Sequence, residues 1–233
     1  MKFKSLVALA AVLLLMSCEK ITNVEVVEPL KTGSFRYQLL DDFGKGVANI
    51  KVHAYRAKKN EDSYYLPDDA YSDTLRTDAE GAVVFSALKA GNYVLKAAGI
   101  SLNKVHYNTT EYMQVVAGHE KSRATKISDF SGRVKIRLIT QMVPELTLPD
   151  FGIALVDKYP MDTSQEGLRK VIDEAVIKGM TDANGQASFT IPSDVSYYLL
   201  IFRPDKSRIQ FLSDVYTLDK GGLDDRTVHA GDY

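Results

Sequence analysis

The stretch TDAEGAVVF at residues 77–85 returns 104 positions later as TDANGQASF at residues 181–189. Thr, Asp, Ala, Gly and Phe recur at the same five offsets. Self-similarity at a fixed spacing means that one supersecondary unit has been built more than once. Tyr112 and Tyr216 share the offset of 104, as do Gly118 and Gly222. Nearer the start of each unit the offset is 99, so that GSFRYQL (33–39) aligns with GRVKIRL (132–138). A difference in loop length absorbs the shift. In a chain of 233 residues this predicts two tandem domains, 33–128 and 129–233, each close to the ~100 residues of a seven-strand sandwich.

The hydrophobic period agrees. SFRYQLL alternates Phe35, Tyr37 and Leu39 against Ser34, Arg36 and Gln38. RVKIRL sets Val134, Ile136 and Leu138 on one face and Arg133, Lys135 and Arg137 on the other. Such alternation is what a strand with one buried and one wet face requires. YYLLIF (197–202) is apolar on both faces and reads as a central strand. DDFGKG, TDAEG, LKAGN, TDANG and DKGG punctuate the strands at regular intervals. Many short strands divided by Gly, Asn and Asp predict an all-β chain of two tandem sandwiches. One segment differs. SQEGLRKVIDEAV (164–176) spaces Leu168, Val171, Ile172, Ala175 and Val176 as on a helix, with Thr163 or Ser164 as its cap.

The first residues belong to another category. Lys2 and Lys4 precede an apolar run from Leu6 to Leu15. This run matches a secretory signal peptide and is far shorter than the ~20 residues that span a bilayer. LMSC then puts Ser17 directly before Cys18, with Leu15 three positions ahead of the cysteine. The arrangement resembles the lipobox of bacterial lipoproteins; the other reading is an ordinary cleaved signal peptide. The lipobox resemblance implies a signal peptide at 1–17, a lipidated Cys18 and a tether over 18–32. It also implies a partner, the membrane held through the lipid on Cys18, and a location at the outer membrane, on the cell surface or the periplasmic face. Cys18 is the only cysteine, so lipidation excludes disulfides and thiol catalysis.

GKGVANIKVHAYRA, followed by LRTDAEGAVVFSALKAGNYVLKAAG, resembles the prealbumin-like sandwiches: carboxypeptidase regulatory-like, transthyretin-like and Cna-B-like domains. The carriers are Gly46 and Val52, then Thr77, Asp78, Gly81 and Phe85, then Leu88, Gly91, Tyr93 and Leu95. The resemblance covers residues 40–98, and 181–202 in the second unit. It implies a fold and leaves the activity open. Cna-B-like domains often carry a Lys–Asn isopeptide bond with a nearby carboxylate. NYVLKAAG and YYLLIFRP have no carboxylate, so that bond is not expected. The ending VHAGDY lacks the Tyr-Arg-Gly-Ser motif of the transthyretin-related hydrolases.

Elementary chemistry explains the repeated motif without a ligand. Asp78 and Asp182 accept backbone N–H groups of a tight turn, Gly81 takes a positive φ, and Phe85 enters the core. The competing reading is half of a calcium loop, but the further carboxylates and late glutamate of such a loop are missing from both copies. No metal and no cofactor are expected. His53, His106, His119 and His229 fall in no catalytic spacing, and His53 and His119 read as solvated side chains. A net charge of −1 gives no ground for a nucleic-acid partner.

Recognition is expected in the stretch AKKNEDSYYLPDDAYSDT (57–74), where Tyr64, Tyr65 and Tyr71 stand among charges. Tyrosines on a long loop supply contact area at low entropic cost; the alternative is that some pack down on an edge strand. The function expected is therefore non-enzymatic: a lipid-anchored envelope module for binding, adhesion or assembly, with a protein or glycan partner. Two alternatives stay open. One is a periplasm-facing accessory of an envelope or nutrient-uptake complex. The other is a hydrolase with carboxylates brought together between the domains.

Overall fold

The computed structural model describes residues 31–59 and 65–231. The signal peptide, Cys18, the tether up to residue 30, and Tyr64 lie outside these. The first half supplies β1 (Thr32–Leu40), β2 (Lys51–Lys59), β3 (Tyr65–Arg76), β4 (Ala82–Lys89), β5 (Gly91–Leu102), β6 (Val105–Val115) and β7 (Glu120–Lys126). The second supplies β8 (Ser131–Thr140), β9 (Gly152–Val156), β10 (Ile177–Met180), β11 (Gln186–Pro192), β12 (Tyr197–Phe202), β13 (Ile209–Tyr216) and β14 (Leu223–Ala230). A three-residue 3-10 turn at Ile127–Asp129 joins the halves.

The sheets repeat strand for strand. The first sandwich stacks β4-β1-β7 on β3-β2-β5-β6, and the second stacks β11-β8-β14 on β10-β9-β12-β13. In each, the opening strand runs parallel to the closing one: β1 with β7, β8 with β14. The chain is thus all-β, with two tandem sandwiches.

Alternation fixes which face is inside. Phe35, Tyr37 and Leu39 point into one core with Val52, Phe85, Tyr93 and Leu95. Val134, Ile136 and Leu138 point into the other with Phe189, Tyr197 and Leu199. Burial of such side chains is worth about 1.5–3 kcal/mol each and is the main force holding each sandwich.

The repeated motif is a corner. Asp78 Oδ1 accepts the N–H groups of Glu80 (3.0 Å) and Ala82 (2.7 Å). Asp182 Oδ1 accepts those of Asn184 (2.8 Å) and Gln186 (2.9 Å). Gly81 (φ +73°) and Gly185 (φ +70°) take the left-handed conformation that closes each turn, where a Cβ would lie 2.3 Å from the Leu39 carbonyl oxygen and 2.7 Å from that of Leu138. The threonine has a role that the motif alone does not disclose. Buried Thr77 donates from Oγ1 to the Val47 carbonyl (2.8 Å) and accepts from the Ile50 N–H (2.9 Å). Thr181 does the same with Leu148 (2.7 Å) and Phe151 (2.9 Å). Each hydroxyl ties the corner to the loop that precedes the second strand of its sandwich.

The offset of 104 does not persist to the end of the units. Tyr93 pairs with Met113, whereas its counterpart Tyr197 pairs with Tyr216. Met113, not Tyr112, is therefore the structural equivalent of Tyr216. A slip of one residue turns a side chain to the opposite face: Tyr112 is 59% exposed while Tyr216 is 2% exposed. Likewise Gly118 N–H donates to the Thr32 carbonyl and Gly221 N–H to that of Ser131, both at 2.8 Å, so Gly118 corresponds to Gly221 rather than Gly222.

The helical spacing is realised as α1 (Gln165–Glu174), capped by Ser164, whose side chain accepts the Gly167 N–H at 3.1 Å. Leu168 and Ile172 pack on Ala154, Leu200, Phe202 and Ile209. This packing explains why β12 is apolar on both faces: one faces the sandwich core and the other faces the helix. Lys178 donates to the carbonyls of Ile172 (2.8 Å) and Asp173 (3.0 Å), satisfying groups that a helix end leaves open. Val176 lies beyond the helix and is half-exposed.

Candidate functional site

Strand β6 carries the residues that join the two sandwiches. His106 Nδ1 lies 2.5 Å from Asp157 Oδ2. Asn108 Nδ2 donates to the Asp194 carbonyl at 2.7 Å. Glu111 receives Arg123 of its own sandwich at 2.5 Å and Lys220 of the other at 3.0 Å. Lys220 also stands 3.9 Å over the ring of Phe130. The contacts hold the tip of the β5–β6 hairpin against the second sandwich.

Between them lies a cleft of about 390 Å³. One wall is the hairpin tip: Lys104, Val105 and His106. The opposite wall comes from the end of β9 and the segment after it, from Leu155 to Met161, and from the C-terminal turn of α1 with Val176 and Ile177. The 157–178 insertion, which the first sandwich lacks, thus builds most of the cleft. Tyr197, at the start of β12, closes the floor.

Tyr197 is 2% exposed. Burial, with the negative charge of Asp157 and then Tyr107 adding to it, pushes its phenol well above the usual tyrosine range. No described residue hydrogen-bonds its hydroxyl. Tyr159 is packed edge-on against Tyr198 (5.4 Å between ring centroids, 89°) and Phe211 (5.2 Å, 88°), yet remains 51% exposed. Lys104 and Asn103 form the two-residue hairpin turn, both with positive φ (+65° and +50°). Among the described residues, Lys104, Lys158 and Glu174 have no hydrogen-bond or ion-pair partner. Polar groups of both signs therefore face an apolar wall and an aromatic ring, an arrangement suited to holding a small molecule. The cleft's two carboxylates do not form a buried pair: Asp157 is 27% exposed and bound to His106, and Glu174 is exposed.

The tyrosine stretch lies elsewhere. From Tyr65 onward its backbone is β3, the terminal strand of its sheet, with Tyr65 opposite Lys59 and Tyr71 opposite Tyr55. Tyr64 lies outside the described residues. The histidines divide. His119 and His229 are exposed. His53, expected to be solvated, is half-buried with Nδ1 3.0 Å from Thr74 Oγ1. His106, for which the sequence suggested no role, bridges the sandwiches. Its partner is 51 residues away, too far for any local pattern to reveal. Among the described residues, no group of three or more His, Cys, Asp or Glu is placed to hold a metal ion, and no helix is long and apolar enough to cross a membrane.

No family model and no curated protein matches the chain. Among solved structures, it matches the TIE protein of Bacillus anthracis at 17% identity and TM-score 0.38, over 86% of this chain and 34% of that one. It therefore spans about a third of the Bacillus protein's length. It matches GBS52, the minor pilin of Streptococcus agalactiae, at 13% identity and TM-score 0.38, over 87% and 97%. It matches the shaft pilin SpaA of Lactobacillus rhamnosus GG at 11% identity and TM-score 0.29, over 84% and 96%.

Proposed function

We propose that the protein is a non-enzymatic binding, adhesion or assembly module of the bacterial cell envelope, anchored at the outer membrane through a lipid on Cys18, and that it takes its ligand at the junction cleft. One observation carries this reading. The insertion that distinguishes the second sandwich from the first places exposed Tyr159, Met161 and Val176 around a cleft rimmed by unpartnered charges. Met161 is 97% exposed. Apolar side chains left in water beside a polar rim mark interaction surfaces, and an unbranched methionine adapts to what it meets. Two sandwiches pinned together along β6 supply the rigid support that such a site needs. The domains divide at 128/129, the tether at 18–32 spaces them from the membrane, and the stretch 57–74, with Tyr64, Tyr65 and Tyr71, is a second contact surface. The partner is a glycan or another envelope protein.

The test uses a double variant, Tyr159→Ala with Met161→Arg. Both side chains are at least half exposed, so the fold is retained, with a modest fall in melting temperature from the lost contacts of Tyr159 with Tyr198 and Phe211. Binding of the purified protein to envelope fractions should weaken tenfold or more. Equal binding by the variant overturns the placement of the site. Separately, Cys18→Ala should release the protein from membrane fractions, and undiminished association overturns the anchor. Protease accessibility on intact cells distinguishes the cell surface from the periplasmic face.

A further inference from the structure

Resting on that binding reading, we infer that the junction cleft takes a neutral saccharide of one or two rings. The first ground is the Tyr197 hydroxyl. Its residue is 98% removed from solvent by the 2% that remains exposed, it lines the cleft floor, and no described residue bonds it. The oxygen is not sealed off: it opens to the cleft, where it is free to donate to and accept from a ligand hydroxyl. Beside it, Asp157 has committed Oδ2 to His106 and keeps Oδ1, while His106 keeps Nε2. The floor therefore offers donor and acceptor side by side. A sugar hydroxyl, which both donates and accepts, satisfies such a pair.

Charge narrows the class. Lys104 and Lys158, Asp157 and Glu174 all line the one cleft. An anionic ligand meets two carboxylates and a cationic one meets two ammonium groups. A neutral polyhydroxyl compound finds hydrogen-bond partners in all four. The ring of Tyr159 is fixed by Tyr198 and Phe211 with its remaining surface open, and it provides a flat apolar face for the C–H face of a sugar ring. The volume, about 390 Å³, lies at the low end of the ~300–1,000 Å³ of small-ligand sites. A peptide ligand is disfavoured by topology. β6 and β10 are each the terminal strand of their sheet, but the cleft touches them only at Val105–His106 and at Ile177, too short a stretch for a peptide ladder.

The full-length protein, labelled with nitrogen-15, is titrated with maltose, cellobiose, lactose and N,N′-diacetylchitobiose. Citrate and an acetylated valine-rich hexapeptide serve as the anionic and peptide probes. At least one disaccharide should bind, with amide shifts centred on His106, Asp157 and Tyr197. Tyr197→Phe removes one oxygen that has no partner in the protein, so it should weaken that binding tenfold or more without lowering the melting temperature. Asp157→Asn should weaken it as well. Binding by none of the four sugars, or sugar binding that ignores both substitutions, overturns the proposal. Citrate or the hexapeptide binding there while the sugars do not overturns the saccharide class and leaves the binding module standing. Failure of the module itself shows in the other assay, where the Tyr159/Met161 variant would match the native protein.

Discussion

Lys220 of the second sandwich places its ammonium 3.0 Å from the Glu111 carboxylate of the first. Glu111 is the better buried partner, with 12% of its side chain exposed against 44% for Lys220. Its other oxygen receives Arg123, so this one carboxylate serves both the internal closure of the first sandwich and its attachment to the second. Glu111→Ala should lower unfolding stability in urea by about 1–2 kcal/mol, since it removes the acceptor of two cations that are each about half exposed. Lys220→Met leaves the Arg123 pair intact and should cost about 1 kcal/mol or less. A double-mutant cycle on the two isolates the share that crosses the junction; a coupling near zero would show that the pair does not help join the sandwiches.

Thr77 and Thr181 give a prediction that tests the equivalence of the two corners. Each buried hydroxyl bridges a carbonyl and an N–H of the neighbouring loop. Valine matches threonine in shape but leaves both backbone groups unpaired, at ~1–3 kcal/mol for each group left unsatisfied. Thr77→Val and Thr181→Val should each destabilise the protein by about 2–4 kcal/mol on that basis. The two losses should be similar, as measured by thermal or urea unfolding. A loss confined to one variant would show that the repeated motif does different work in its two copies.

The sequence carried the parts of this structure that depend on local period. Phe35, Tyr37 and Leu39 point inward because residues two apart share a strand face, and Asp78 and Asp182 lie on turns because a short carboxylate reaches backbone N–H groups two and four residues on. What escaped depends on separation in space. Tyr112 and Tyr216 share an offset but not a face. Tyr93 and its partner Met113 are 20 positions apart, whereas Tyr197 and its partner Tyr216 are 19 apart, and spacing alone cannot show that one residue has been dropped between them. YYLLIF is legible as a central strand, but not that a helix covers its outer face. His106 and Asp157 meet only because the β5–β6 hairpin reaches the insertion of the other sandwich. The cleft was legible in one respect: the 157–178 segment is where the copies differ most, and it builds most of the walls.

Ser164 ties the helix to the site. Its side chain caps α1, and the far end of α1 forms a wall of the cleft through Val171, Glu174 and Ala175. Ser164→Ala should cost about 1 kcal/mol. Hydrogen exchange should then quicken in the first turn of α1 while the sandwich strands keep their protection. Ser164→Thr should retain most of the stability, since threonine also caps and keeps a hydroxyl for Asp162. If threonine fails where serine succeeds, the cap is not what holds the helix.

Acidification should weaken the fold in two separate windows. Burial, with Lys51 adding to it, holds His53 below its usual 6.5. Between its folded value and 6.5 the unfolded chain binds more protons than the native one, so the stability present above pH 6.5 falls as pH drops through that interval. The second window belongs to three carboxylates held below 3.8: Asp162 by its bond with Ser164, Asp173 by Lys206, and Asp205 by Ser207. Their contribution is present above pH 3.8 and is lost as pH falls through their lower folded values. All four groups act in the same direction, toward lower stability in acid, but at different pH. Urea midpoints measured from above pH 6.5 to below pH 3.8 should show both declines. His53→Gln should flatten the first and leave the second, while Asp173→Asn should reduce only the second. A first decline that survives His53→Gln would show that His53 is not its source.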